Sequence, residues 1–177
     1  NLTTAAQRNL AIERMIRVNQ AGEFGAKRIY AGQLAVMGDR TPAARSIAHM
    51  AEQEERHLNA FDKMMAERGV RPTALHPIWS AAGFALGAVS AAVSPEAAMA
   101  CTVAVETEID RHYSEQLAEI GDSDPELSAM IADFQADEQE HKATALAEGA
   151  ERAPAYPLMS ALVRMGCRTA IAVSKHI

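Results

Sequence analysis

The sequence predicts an all-α fold. Three observations predict it: apolar residues recur at helical spacing along most of the chain, no stretch alternates as a strand does, and Pro, Gly and capping residues separate the periodic segments. At 177 residues there is room for one sizeable core, so residues 1–177 are read as a single domain.

The first helix runs from about residue 10 to 37. Its stripe reads Ile12, Ile16, Glu23, Tyr30, Leu34, Met37, which sets a carboxylate among core-facing positions, and Gly38-Asp39 stops it. Thr41 then caps a second helix with Pro42 in its first turn; this stripe is Ile47, Met50, Glu54, His57, Phe61, Met64, ending near Gly69. An apolar helix follows at 78–93. The next amphipathic segment carries Met99, Val103, Glu106, Asp110, Tyr113, Leu117 and Ile120 and stops near Gly121. Asp124-Pro125 opens another, with Leu127, Ile131, Phe134, Glu138, His141 and Ala145 on its stripe. An amphipathic helix at 157–174 completes the set.

The chain repeats itself. RIYAGQLAVMGD (28–39) and RHYSEQLAEIGD (111–122) share seven of twelve residues at an offset of 83. Glu23 and Glu106 keep that offset, while Glu54/Glu138 and His57/His141 stand 84 apart, a difference that one loop residue absorbs. Two halves therefore each supply one isolated Glu and one Glu-x-x-His. Positions i and i+3 share a helix face, so each Glu-x-x-His aims a carboxylate and an imidazole at one point. Within Glu106-Thr107-Glu108 the two carboxylates cannot both face inward. The repeat chooses Glu106, because Glu108 matches Gly25.

Four carboxylates and two imidazoles, with no thiolate, suit iron or manganese and argue against structural zinc or an iron–sulfur cluster. Four ionised Glu balance two divalent cations. Left without metal, converging anions repel one another or take up protons. A Glu from each of two helices with Glu-x-x-His from each of two others is the pattern of ferritin-like di-metal bundles. The expected architecture is thus a ferritin-like four-helix bundle with an internal two-fold repeat and two additional apolar or amphipathic helices.

Neighbouring residues admit two readings. Asp110 and Lys27, one turn beyond Glu106 and Glu23, fit either support of the metal ligands or a structural salt bridge. Tyr113 fits a proton or electron relay, but its equivalent Tyr30 fits core packing as well. His112 adjoins Tyr113. The nine Met residues are read as core filler.

Composition narrows the partners. A net charge of −6 opposes binding of nucleic acid through a general electrostatic footprint. Cys101 and Cys167 form no Cys-x-x-Cys pair, which fits a reducing compartment. No charged-then-apolar signal segment opens the sequence, though a chain that starts at Asn1 excludes no leader. The run 78–93 reaches about 24 Å as a helix, short of the roughly 30 Å of a bilayer core, so it is not expected to span a membrane, which leaves lying on or dipping into its surface open.

Together with the repeated carboxylates, the phrases RVNQAGEFGAKRIYAGQ, RPTALHPIWSAAGFALGA, AMACTVAVE, RHY and APAY closely resemble the 5-demethoxyubiquinone hydroxylase family of ubiquinone biosynthesis, over nearly the whole chain. The resemblance implies a non-haem di-iron monooxygenase that uses O₂ to hydroxylate a demethoxyquinol ring bearing a polyisoprenoid tail. Position by position it implies iron ligands at Glu23, Glu54, His57, Glu106, Glu138 and His141, and a His-Tyr pair near the site at His112 and Tyr113. Some relatives have a second His where this chain has Arg111. It further implies electrons from the quinol, from NADH or from a separate reductase, a lipid-binding partner protein, and self-association. The place implied is peripheral on a membrane: the cytoplasmic side of the plasma membrane in a bacterium, or the matrix side of the mitochondrial inner membrane. On this reading 78–93 and the C-terminal stretch form an apolar entrance, with Arg164, Arg168 and Lys175 toward anionic headgroups; the alternative is ordinary core with an oligomer interface. Rival functions for the same ligands are a ferritin-like iron store or peroxidase and a di-iron quinol oxidase.

Overall fold

The computed structural model describes residues 4–177 and contains six α-helices, with no strand among the described residues. They are α1 (Ala5–Met37), α2 (Pro42–Arg68), α3 (His76–Val93), α4 (Pro95–Ile120), α5 (Pro125–Ala147) and α6 (Tyr156–Ser174). The fold is an all-α ferritin-like bundle, as the periodicity predicted.

The helix ends follow from local chemistry. Thr41, Ser94 and Asp124 each accept a backbone N–H three residues on, at 3.1, 3.0 and 3.1 Å, and each precedes a Pro that needs no amide partner. Gly38 and Gly121 end α1 and α4 at φ 69° and 52°, a region that a side chain disfavours. Two starts lie earlier than the stripes indicated. Helix α1 begins at Ala5 because Thr4 accepts from the Gln7 amide, and α4 begins at Pro95 because Ser94 caps it.

Helices α1 and α2 form an antiparallel hairpin, as do α4 and α5, and α1 runs antiparallel to α4. The helices expected as additions prove to be the third member of each half: α3 lies parallel to α1, and α6 lies parallel to α4. The repeat thus covers three helices per half. The seam between α1 and α3 is close. A Cβ at Gly87 would stand 1.9 Å from the Ile29 carbonyl oxygen, and one at Gly32 would stand 2.1 Å from that of Phe84.

The seam between α4 and α6 is built differently. Glu108, which takes the place of Gly25, is fully buried; it accepts from Arg164 Nε at 2.6 Å, Arg168 Nε at 2.9 Å and Arg111 Nε at 3.0 Å. These cations outweigh the effect of burial and hold its carboxyl down at about 2. Arg164 and Arg168, read from the sequence as cations for headgroups, thus also hold Glu108, their side chains remaining 38% and 53% exposed. A buried carboxylate attracted them.

Two apolar layers fill the bundle. One holds Ile16, Phe61, Met64, Ile131 and Phe134, the other Ile47, Met50, Met99, Val103 and Ala145. The polar layer described next lies between them.

Candidate metal centre

The apolar stripes that bury α1, α2, α4 and α5 carry their acidic interruptions inward at one depth. Glu23, Glu54, His57, Glu106, Glu138 and His141 are each at most 1% exposed. Their donor atoms form two overlapping groups, Glu23/Glu54/His57/Glu138 and Glu54/Glu106/Glu138/His141, and within each group the atoms lie within 4.8 Å of one another. Glu54 and Glu138 belong to both. Each outer pair, Glu23 with His57 and Glu106 with His141, completes one group.

Burial without partners marks this layer as a place for cations. Both oxygens of Glu54 and of Glu138, Glu106 Oε2 and His141 Nδ1 are buried with no hydrogen bond. Such orphaned acceptors are costly in a protein interior, and a divalent cation would satisfy several at once. The donor set of oxygen and imidazole nitrogen fits iron or manganese.

Protons otherwise stand in for cations. Burial opposes charge on His57, but Glu138 and Glu23 outweigh it and raise the imidazole to about 10; Glu106 and Glu138 raise His141 likewise to about 10. Burial, then Glu138, pushes Glu106 up to about 8, and burial with Glu138 and Glu23 drives Glu54 well above its ordinary range. Glu138 faces both imidazoles, which overcome its burial and hold it at about 2.

The two halves interlock through tyrosine. Tyr113 Oη donates to Glu23 Oε1, and Tyr30 Oη donates to Glu106 Oε1, so each phenol grips the isolated Glu of the other half. Burial and the carboxylates raise both phenols well above 10 and keep them donors. His112 stands apart from the cluster. Its Nε2 lies 2.8 Å from Gln116 Nε2, in a network with Asn19, because a residue adjacent to Tyr113 points about 100° away around the helix. Asp110 accepts from Gln135 and Gln139 of α5, and Lys27 pairs with Glu55 at the surface; both are structural links.

Two supporting residues escaped the sequence reading. His57 Nε2 lies 2.9 Å from Asp137 Oδ2, and His141 Nε2 lies 3.0 Å from Gln53 Oε1. The signal was present: each directly precedes the Glu of a Glu-x-x-His, in AEQEERH (51–57) and ADEQEH (136–141).

Beside the cluster lies an apolar groove of about 460 Å³ between α1, α3, α4 and α6. Its walls include Gly22, Ala26, Val105 and Ile109, which flank Glu23 and Glu106 on their own helices, and Leu162 and Gly166 of α6. Across the bundle, between α2 and α5, a polar pocket of about 400 Å³ reaches His141.

Known proteins have similar sequences. Residues 10–174 match the family described as ubiquinone biosynthesis protein COQ7. The chain is 49% identical over 166 residues to the 3-demethoxyubiquinol 3-hydroxylase of Rhodospirillum rubrum, covering 94% of this chain and 78% of that protein. It is 48% identical over 170 residues to the mitochondrial NADPH-dependent 3-demethoxyubiquinone 3-hydroxylase of Mus musculus, with the same two coverages. To the mitochondrial 5-demethoxyubiquinone hydroxylase of Saccharomyces cerevisiae it is 40% identical over 182 residues, again with 94% and 78% covered. With nearly the whole bundle inside the match, buried carboxylate layer included, the chain belongs to the COQ7 family of ubiquinone-biosynthesis hydroxylases.

Proposed function

We propose that this chain hydroxylates the ring of a demethoxyubiquinol with O₂, at two iron ions held by Glu23, Glu54, His57, Glu106, Glu138 and His141. The observation that carries the reading is the pair of overlapping donor groups with their orphaned buried oxygens, in a chain whose relatives are named as demethoxyubiquinol and demethoxyubiquinone hydroxylases. Iron supplies the reductive activation of O₂, one oxygen atom passing to the ring and the other leaving as water. Electrons come from a reduced nicotinamide, in line with the name of the mouse relative. No Gly-x-Gly-x-x-Gly motif appears in the sequence, so that donor needs another mode of binding or a separate reductase.

The protein's own part is to position and to exclude water. Glu54 and Glu138, common to both groups, would serve both ions, while Tyr30 and Tyr113 fix the outer carboxylates by donating a hydrogen bond to each. The apolar groove takes the isoprenoid tail and brings the ring to the Glu23 and Glu106 side of the cluster.

The tail reaches the groove from a membrane. Ile78, Val89 and Val93 of α3 and Leu158, Leu162 and Met165 of α6 are large apolar side chains left exposed. Helix α3 is long and apolar enough to cross a membrane by length and composition, but its glycine face is committed to α1, so it rests on the surface with α6. The same faces would seat a lipid-binding partner protein or a second copy of the chain.

Anaerobic reconstitution with ferrous iron, addition of a short-tailed demethoxyquinol, then O₂ labelled with ¹⁸O tests the reading. The expected product is heavier by one labelled oxygen. Quinol oxidation without incorporation would indicate an oxidase, and iron uptake without quinol consumption a store.

A further inference from the structure

The two halves treat their imidazoles alike in geometry and differently in chemistry. Each ring turns Nδ1 inward: His57 Nδ1 lies 3.1 Å from Glu138 Oε1 and 3.3 Å from Glu23 Oε2, and His141 Nδ1 lies 3.1 Å from Glu138 Oε2 and 3.4 Å from Glu54 Oε1. Each turns Nε2 outward to the residue before the other half's Glu. For His57 that residue is Asp137, a carboxylate that Arg56 also grips. For His141 it is Gln53, a neutral amide. An imidazole whose outer N–H faces a carboxylate is the more basic ligand, and such outer partners typically change metal affinity about 10- to 100-fold.

Access differs in the same sense. The His57 ring is covered by Phe134, stacked at 4.0 Å between centroids, and by Arg56, whose guanidinium lies 3.4 Å from His57 Nε2 and is bonded to Asp133 and Asp137. His141 instead borders the pocket between α2 and α5, whose walls carry His49, Gln53, Glu140 and Glu148, groups suited to a hydrated cation in transit, beside one cation, Arg45, that donates to the Arg40 carbonyl. His141 Nδ1 is itself buried and without a hydrogen bond.

We propose that the two metal positions are unequal: the His57 position binds tightly, and the His141 position is the exchangeable one, filled and emptied through the pocket between α2 and α5. This rests on the two-metal reading above.

Equilibrium titration of the metal-free protein with Fe(II) under anaerobic conditions, in competition with a chelator, tests it without reference to turnover. The expected result is two steps about 10- to 100-fold apart. Gln53→Glu should strengthen the weaker step and narrow the gap, and Asp137→Asn should weaken the stronger step. Anomalous scattering from half-loaded crystals should place the metal among Glu23, His57, Glu54 and Glu138. Thr144→Trp, which fills the pocket, should slow chelator removal of one metal and leave the equilibrium steps in place. Two indistinguishable steps, a gap untouched by Gln53→Glu, or half-loading at His141 overturns the inference while the two-metal reading stands. Removal at an unchanged rate in Thr144→Trp overturns the route. Binding of no metal at all removes the reading beneath it.

Discussion

Arg164 of α6 donates its Nε–H to Glu108 Oε1 of α4 at 2.6 Å, and this carboxylate, fully buried at the foot of three arginines, fastens the last helix to the bundle. Glu108→Gln removes the charge and keeps the shape. It should lower stability by about 1–2 kcal/mol, less than for a wholly buried pair because the guanidinium groups reach solvent. Amide exchange along α6 should quicken more than along α5. Equal protection in both helices would contradict a fastening role.

Two glycines of the outer helices, Gly87 of α3 and Gly166 of α6, should respond oppositely to alanine. Gly87→Ala drives a methyl into the Ile29 carbonyl and should cost about 1–3 kcal/mol, or more if α3 cannot slide. Gly166→Ala meets nothing within 4 Å and should stabilise α6 by about 0.5–1 kcal/mol. Denaturant midpoints of the pair decide this, and destabilisation by both would count against the difference between the seams.

Metal binding should release protons. The metal-free cluster holds His57 and His141 at about 10 and Glu106 at about 8, so at pH 7 these groups carry protons that a cation must displace. Affinity is therefore expected to rise from pH 6 to 8. Calorimetry in buffers of different ionisation enthalpy reads the release directly, and heats independent of buffer would refute it.

His112 should make the fold sensitive to mild acid. Burial, aided by the positive charges of Lys175 and Arg111, lowers its pKa from 6.5 to about 4. The unfolded chain then takes up this proton at higher pH than the folded one. Its contribution is complete above about pH 6.5 and is lost as pH falls toward 4, on the order of 2–3 kcal/mol at the lower end. His112→Gln should flatten that part of the stability profile, measured by urea unfolding at several pH values; parallel profiles would exclude the assignment.

The sequence made the bundle and its centre legible because buried carboxylates broke apolar stripes that were otherwise regular, and because the repeat paired Glu23 with Glu106 and excluded Glu108 from the cluster. What it concealed depended on three-dimensional neighbours. Asp137 and Gln53 lie one residue outside the inward face, so periodicity alone ranked them as surface; only the approach of the opposite imidazole gives them work. That Arg164 and Arg168 hold Glu108 was hidden because nothing in sequence places that carboxylate, more than fifty residues away, beneath them. The kinship of α3 and α6 was hidden for a related reason. Their residues diverged while their places beside α1 and α4 did not.

The exchange of Gly25 in one half for Glu108 in the other has a stereochemical meaning. Where glycine meets glycine, α3 closes onto the backbone of α1; where a carboxylate and guanidinium groups are interposed, α6 is tied to α4 by charge. The apolar groove opens between these two unlike seams and takes a wall from each, so a long greasy guest would lie along the line where the duplicated halves meet.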